Sequence, residues 1–283
     1  MPDWCRLRRL TPSGILGSAV ATLRVPVEGE FSETIDFSCN ICGHENQRVP
    51  LIHVQNREFQ SCRHCRSSLR MRSLIYRLSM ELFGKALVLP EFPVDKAIEG
   101  IGMSDWAGYA MVLEQCFSYT NTYYHQPPRL DITNIPKAMV ARADFLLSSD
   151  VFEHIPVFAL NAAFRNSRLL LRDGGVFVFS VPYVKEGETQ ERFPSLHDYH
   201  IITTAGKSFL YNRTVEGNEE IFDKLVFHGG DGATLEMRMF AEPDLLRRLA
   251  AAGFRSVEVC VDHVPEFGIL WPMDWAVPIV ARA

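Results

Sequence analysis

At 283 residues the chain has room for one large domain, or for an ordinary domain with a small appendage. With 47% hydrophobic and 22% charged residues it has the composition of a globular protein, and no window approaches the roughly 18 apolar residues of a membrane-spanning helix, so no membrane partner is expected. The net charge of −5 is unevenly shared: residues 1–85 hold 12 Lys/Arg against 8 Asp/Glu, and the remainder 17 against 26.

Residues 1–35 read as a weakly structured lead-in. Its arginines (Arg6, Arg8, Arg9) and mixed run Ile15–Ala21 lack the compact apolar core and small-residue cleavage site of a signal peptide, so the expected location is cytoplasmic. Next come two cysteine pairs, Cys39-Asn-Ile-Cys42-Gly43-His44 and Cys62-Arg-His-Cys65, with nineteen residues between them. Two close thiolate pairs on two turns can converge tetrahedrally on Zn²⁺, and Gly43 suits the tight turn after a pair. Four thiolates close the coordination sphere, so the expected zinc is structural. The remaining cysteines, Cys5, Cys116 and Cys260, make an odd count that argues for metal before disulfides. His44 and His64 each lie beside a cysteine and read as surface residues.

From Ser67 to Phe83 apolar residues recur at a helical period, and Gly84 is placed to end the helix. The segment Arg57–Arg77 holds six arginines and one glutamate, which is either a solvated helix face or a footprint for phosphate. Beyond Lys85 strands and helices alternate. Strands are expected at Ala97–Ile101, Thr120–Tyr124, Phe145–Ser149, Val176–Val181, Val257–Val261 and Val277–Ala281. Helices are expected near Gly108–Cys116, Val157–Leu171 and Glu242–Ala252. The pattern predicts an α/β fold with a mostly parallel sheet covered on both faces. A long polar and aromatic insertion, 183–239, interrupts it and reads as a lid or substrate wall. The expected division is therefore a zinc-binding module with its linking helix over 1–85, and a sheet domain over 86–283.

Several motifs follow one another in the sheet region: Glu99-Gly100-Ile-Gly102-Met-Ser104-Asp105, Leu130-Asp131-Ile132-Thr-Asn, Ser149-Asp150-Val-Phe-Glu153-His154-Ile, Arg168-Leu-Leu-Leu-Arg-Asp-Gly-Gly175, and Ala252-Gly253-Phe254. In this order and spacing the run from Lys96 to Ala283 resembles class I S-adenosylmethionine-dependent methyltransferases of the type 11-like branch. The resemblance implies a Rossmann-like sheet and S-adenosylmethionine as cofactor. It places Gly100, Gly102 and Ser104 at the methionine and ribose end, Asp131 at the adenine amino group with Ile132 against the ring, and Ser149 and Asp150 under the methionine moiety. Two positions depart from the family pattern. Ser104 stands for the usual third glycine, and no acid ends the second strand at Asn121–His125, so Asp105 is the substitute for the ribose hydroxyls.

For an acceptor that must lose a proton, histidine is the usual base. His197, with Asp198 as its orienter, and His154 are the catalytic candidates. His228 reads as a turn marker, Glu236 as ordinary strand charge, Tyr123 and Tyr124 as core or adenine-stacking residues, and Trp271 and Trp275 as edge packing or a pocket wall. The leading expectation is methyl transfer to a small polar acceptor, a sugar or a specialised metabolite. The alternatives are an RNA-modifying methyltransferase that uses the basic zinc module, and a scaffold without catalysis that binds the cofactor or a protein.

Overall fold

The computed structural model describes residues 33–204, 206–228 and 234–283. The lead-in reading, residues 33–35 apart, and Gly229-Gly230 fall outside these residues. Among them, no helix is long and apolar enough to cross a membrane.

The chain opens with an antiparallel pair, β1 (Thr34–Ser38) and β2 (Glu45–Pro50), and the first cysteine pair lies in the turn between them. Helix α1 (Leu69–Phe83) follows the second pair. Ser68 caps its N-terminus by accepting the Met71 N–H, and Gly84 ends it with φ +65°.

Six strands then form the central sheet: β3 (Glu99–Met103), β4 (Ser118–Thr122), β5 (Ala143–Ser149), β6 (Leu171–Ser180), and, after the insertion, two more strands near the C-terminus. Helix α2 (Ala107–Cys116) joins β3 to β4, and α3 (Leu160–Leu170) joins β5 to β6. Within the insertion, β7 (Asp198–Thr204), β8 (Lys207–Arg213) and β9 (Glu219–Phe222) make an antiparallel meander. Helix α4 (Glu242–Ala252) then leads to β10 (Ser256–Val259) and β11 (Ile279–Arg282).

The spatial order of the central sheet is β10-β11-β6-β5-β3-β4. Strands β4, β3, β5 and β6 run parallel, and β11 lies antiparallel between β6 and β10. This is a doubly wound, Rossmann-like sheet. Its chain order reverses between β3 and β5, the switch point outside whose carboxyl ends such sheets bind ligands.

The apolar runs that predicted these strands divide by alternation between two cores. Phe145, Leu147, Val176, Val178 and Val280 face one side, with α1, α2 and the cysteine module's Phe37, Ile41, Val49 and Val54. Leu146, Phe177, Phe179, Ile279 and Ala281 face the other, with Leu160 and Phe164 of α3 and Leu245 and Leu249 of α4. The cysteine module and α1 thus supply part of one sheet cover.

Strand β6 starts at Leu171, five residues before the expected Val176, and β3 starts and ends two residues late, running on to Met103. Gly100 and Gly102 pair with neighbours on both sides, Tyr119 and Phe145 for the first, Asn121 and Leu147 for the second, so the chain does not turn at Gly102. A side chain at Gly100 would collide with the Phe145 ring, itself stacked on Tyr119 at 5.9 Å. Gly100→Ala is therefore expected to destabilise the fold by about 2 kcal/mol through overpacking, measured by urea denaturation.

Candidate functional site

The four sequence-predicted cysteines converge. Cys39 Sγ lies 3.7 Å from Cys65 Sγ, and Cys42 Sγ 3.8 Å from Cys62 Sγ. Sulfurs on a tetrahedron around zinc, with Zn–S near 2.3 Å, stand about 3.8 Å apart; these two distances match that spacing, and all four sulfurs lie within 4.8 Å of one another. The turns are built for it. The Gly43 N–H donates to the Cys39 carbonyl and the Arg66 N–H to the Cys62 carbonyl, with Gly43 at φ +75° and Arg66 at φ +67°. Asn46 Nδ2 donates to Cys62 Sγ at 3.6 Å, and Ser67 Oγ lies 3.3 Å from Cys39 Sγ, contacts that favour thiolates. His44 and His64 stack on each other at 4.4 Å, exposed and outside the cluster. Burial, first, and the neighbouring sulfurs push the Cys42 thiol up to about 11.

The basic segment turns inward. Arg72 is fully buried, donating to the Ser67 and Gly268 carbonyls and to Ser61 Oγ, with its guanidinium 4.7 Å from the Phe37 ring centre. Arg77 pairs with Glu258 and Asp262. Arg57 forms a bidentate pair with Asp150 at 2.7 and 2.8 Å, and its Nε donates to the Ala276 carbonyl. Arg70 reaches Glu58, Asp150 and Ser149 Oγ. Arg63 and Arg66 remain on the surface.

Asp150 and Ser149 end β5 at the switch point, and Ser104 follows β3 beside them in the sheet order. Two of these residues carry left-handed backbone without being glycine: Ser104 at φ +57° and Asp150 at φ +54°. Such conformations cost of order 1 kcal/mol and collect at ligand sites. Burial alone would raise the Asp150 carboxyl. The Arg57 charge and its hydrogen bonds outweigh this, and the group is held below the usual carboxylate range.

Four cofactor expectations need correction in the geometry. The positions a side chain would take at Gly100 and Gly102 are filled by Phe145 and by Tyr119 with Asp105, so these glycines admit core side chains. Asp105 is 4% exposed and accepts from Tyr109 Oη at 2.9 Å and Tyr119 Oη at 2.5 Å, so neither oxygen is offered to a ribose. Ile132 belongs to the core, 7% exposed. Ser104 is exposed. Asp131 is half-buried: its Oδ1 accepts from the Thr133 N–H and Oγ1, and Oδ2 has no hydrogen-bond partner among the described residues.

His197 and Asp198 are exposed at the start of β7. Tyr199, next on that strand, lies near Tyr124 beyond the end of β4. Burial and this neighbour push its phenol up. His154 follows β5, and its Nδ1 lies 2.9 Å from the Leu235 carbonyl. The structure brings it together with Glu153, His228 and Glu236, two of which read as a turn marker and as strand charge. Trp271 is core, whereas Trp275 is 39% exposed and donates to Met273 Sδ.

No protein-family model matches the chain, and no curated protein matches it. Among solved structures it is similar to the 1,6-didemethyltoxoflavin N1-methyltransferase of Burkholderia thailandensis, with bound 1,6-didemethyltoxoflavin and S-adenosylhomocysteine. The identity is 18% and the TM-score 0.42, over 75% of this chain and 77% of that one. It is also similar to a sugar N-methyltransferase of Streptoalloteichus, at 13% identity and TM-score 0.41 over 74% and 84% of the two chains. An amino pentose methyltransferase of Micromonospora echinaspora with bound S-adenosylmethionine follows at 12% and 0.40, over 76% and 92%.

Asp105 gives a pH test. Burial pushes its carboxyl up to about 7 despite the two tyrosine hydroxyls. The folded chain then binds more protons than the unfolded chain between about pH 4 and the raised value, so stability falls as pH rises through that window. Asp105→Asn is expected to flatten that fall, measured by urea denaturation at stepped pH.

Proposed function

We propose that the chain is an S-adenosylmethionine-dependent methyltransferase acting on a small polar acceptor, with a structural zinc held by Cys39, Cys42, Cys62 and Cys65. The carrying observation is the pair of left-handed strand ends, Ser104 and Asp150, at the switch point of a Rossmann-like sheet. The cofactor would supply an electrophilic methyl group. Of the residues that the resemblance nominates, Ser104, Ser149 and Asp131 fit its site. Ser104 offers an exposed hydroxyl and backbone, and Asp131 Oδ2 is free to accept from an adenine amino group.

Methyl transfer from a sulfonium is an in-line displacement, so the protein chiefly aligns the acceptor and excludes water. The insertion is bonded to the chain beyond β5, the Met237 N–H donating to the Glu153 carbonyl, which supports it as the wall on the acceptor side. His197 is the candidate to take the acceptor's proton, with Asp198 beside it. His154 is committed through Nδ1 to Leu235, which leaves His197 the freer histidine. The arginines support a small acceptor over RNA: Arg57, Arg70, Arg72 and Arg77 are spent on internal partners, and a phosphate footprint needs them free.

Calorimetry with S-adenosylhomocysteine tests the cofactor reading. Binding is expected, and Asp131→Ala should weaken it about tenfold, the worth of one charge-assisted hydrogen bond. No heat at millimolar ligand would leave only the protein-binding scaffold. For the metal, elemental analysis should find thiolate-bound zinc that Cys62→Ser loses, together with several kcal/mol of stability in thermal unfolding. A stable wild-type chain free of metal would refute it.

A further inference from the structure

Glu153 is the most anomalous side chain outside the cysteine module. It is fully buried, and neither carboxylate oxygen has a hydrogen-bond partner among the described residues. An isolated carboxylate in that state is strongly disfavoured unless something neutralises it. The groups facing it are two imidazoles: His154 Nε2 lies 3.6 Å from Glu153 Oε1, and His228 Nδ1 lies 3.8 Å from the same oxygen. Both distances exceed a hydrogen bond. They approximate the separation of about 3.4 Å between nitrogen and oxygen ligands bound tetrahedrally at about 2.0–2.1 Å from one metal.

The far nitrogen of each ring is already engaged. His154 Nδ1 lies 2.9 Å from the Leu235 carbonyl, an acceptor only, so that nitrogen carries the proton and Nε2 presents its lone pair toward Glu153. His228 Nε2 lies 2.5 Å from Glu236 Oε2, and Arg192 Nε holds the same carboxylate at 2.8 Å. A proton on His228 Nε2 leaves Nδ1 as the lone pair, also toward Glu153. Metal-binding histidines are oriented this way, with the second nitrogen donating to a carbonyl or carboxylate.

We propose that Glu153, His154 and His228 form a second cation site, separate from the four cysteines, for a divalent first-row transition ion such as Zn²⁺. Two imidazoles and one carboxylate suit that class of ion, and three protein ligands leave a fourth position for water or an acceptor's oxygen. The site joins the loop after β5 to the insertion. His228 pairs with Thr234, and the Met237 N–H donates to the Glu153 carbonyl, so a cation there would cross-link segments far apart in sequence. The competing arrangement is a doubly protonated His228 bridging Glu153 and Glu236 without a metal.

Co²⁺ titration of the chelator-treated full chain separates the two. The cysteine site reports as intense thiolate-to-cobalt charge transfer, and the second site as weaker visible bands without it. Wild type is expected to bind one ion of each kind. Glu153→Gln and His228→Ala should each lose the second kind and keep the thiolate signal, which also shows that the variant has folded. A wild-type chain with thiolate-bound cobalt alone would overturn the proposal, as would a second ion that survives both substitutions. If the cysteines bind nothing, the weak bands still appear alone in wild type, so the two metal readings fail separately.

Discussion

Asp150 is the residue on which the rest of the arrangement turns. It follows β5 in a left-handed conformation and, with its side chain 18% exposed, would be costly to keep charged there. Arg57 and Arg70 neutralise it, and Ser180 Oγ donates to it at 2.9 Å. Neither arginine belongs to the sheet. Both come from the segment that the cysteine cluster and α1 hold in place. The carboxyl edge of the sheet therefore depends on a module that precedes it in the chain, and that module rests its own apolar residues on the same sheet. Ion pairs of this kind contribute less to stability than to geometry, because desolvation cancels much of the attraction. Here the geometry fixed is that of the chain just beyond β5, at the switch point of the sheet.

How legible this was in the sequence depended on how local the determining forces were. The strands at 145–149 and 176–181 were readable because a strand buried on both faces needs an unbroken apolar run. The helix Glu242–Ala252 and the stop at Gly84 were readable from periodicity and from the glycines that follow them. The continuation of β3 through Gly102 was not. Whether two glycines turn or pair is decided by Tyr119, Phe145 and Leu147, which lie on other strands. Nor did the density of arginines between 57 and 77 announce that most would face inward, since their partners at 150, 258, 262 and 268 are remote.

The candidate sites divide in the same way. The cysteine cluster was legible because each ligand pair is set by one local turn, and only two turns must meet. Asp105 misled for the opposite reason. An acid after a glycine-rich strand resembles a ligand contact, but two tyrosines fourteen or fewer residues away claim both of its oxygens. The cluster at Glu153 draws on positions 153, 154, 228 and 236, and no spacing rule connects them. Taken singly, His228 reads as a turn and Glu236 as solvated charge; together they supply what a buried carboxylate lacks.

These contacts also bear on how acceptor choice would be encoded. Arg238 is fully buried on the return of the insertion, where it donates to the Phe152 carbonyl and to Glu191, while Met237 donates to the Glu153 carbonyl. The insertion is thus bonded to the backbone just beyond β5, not merely laid over the sheet. A small core of its own joins Leu210 of the meander to Phe193, Leu196, Leu235 and Met237 of the flanking insertion segments, so the exposed residues of β7 to β9 can vary without disturbing the sheet. Under the proposed function, such a division between sheet and insertion would let one scaffold change acceptor while keeping its donor chemistry. On the same proposal, discrimination between acceptors would fall to β7 to β9, because the residues between 149 and 154 are already committed to Arg57, Arg70, Arg238 and Leu235.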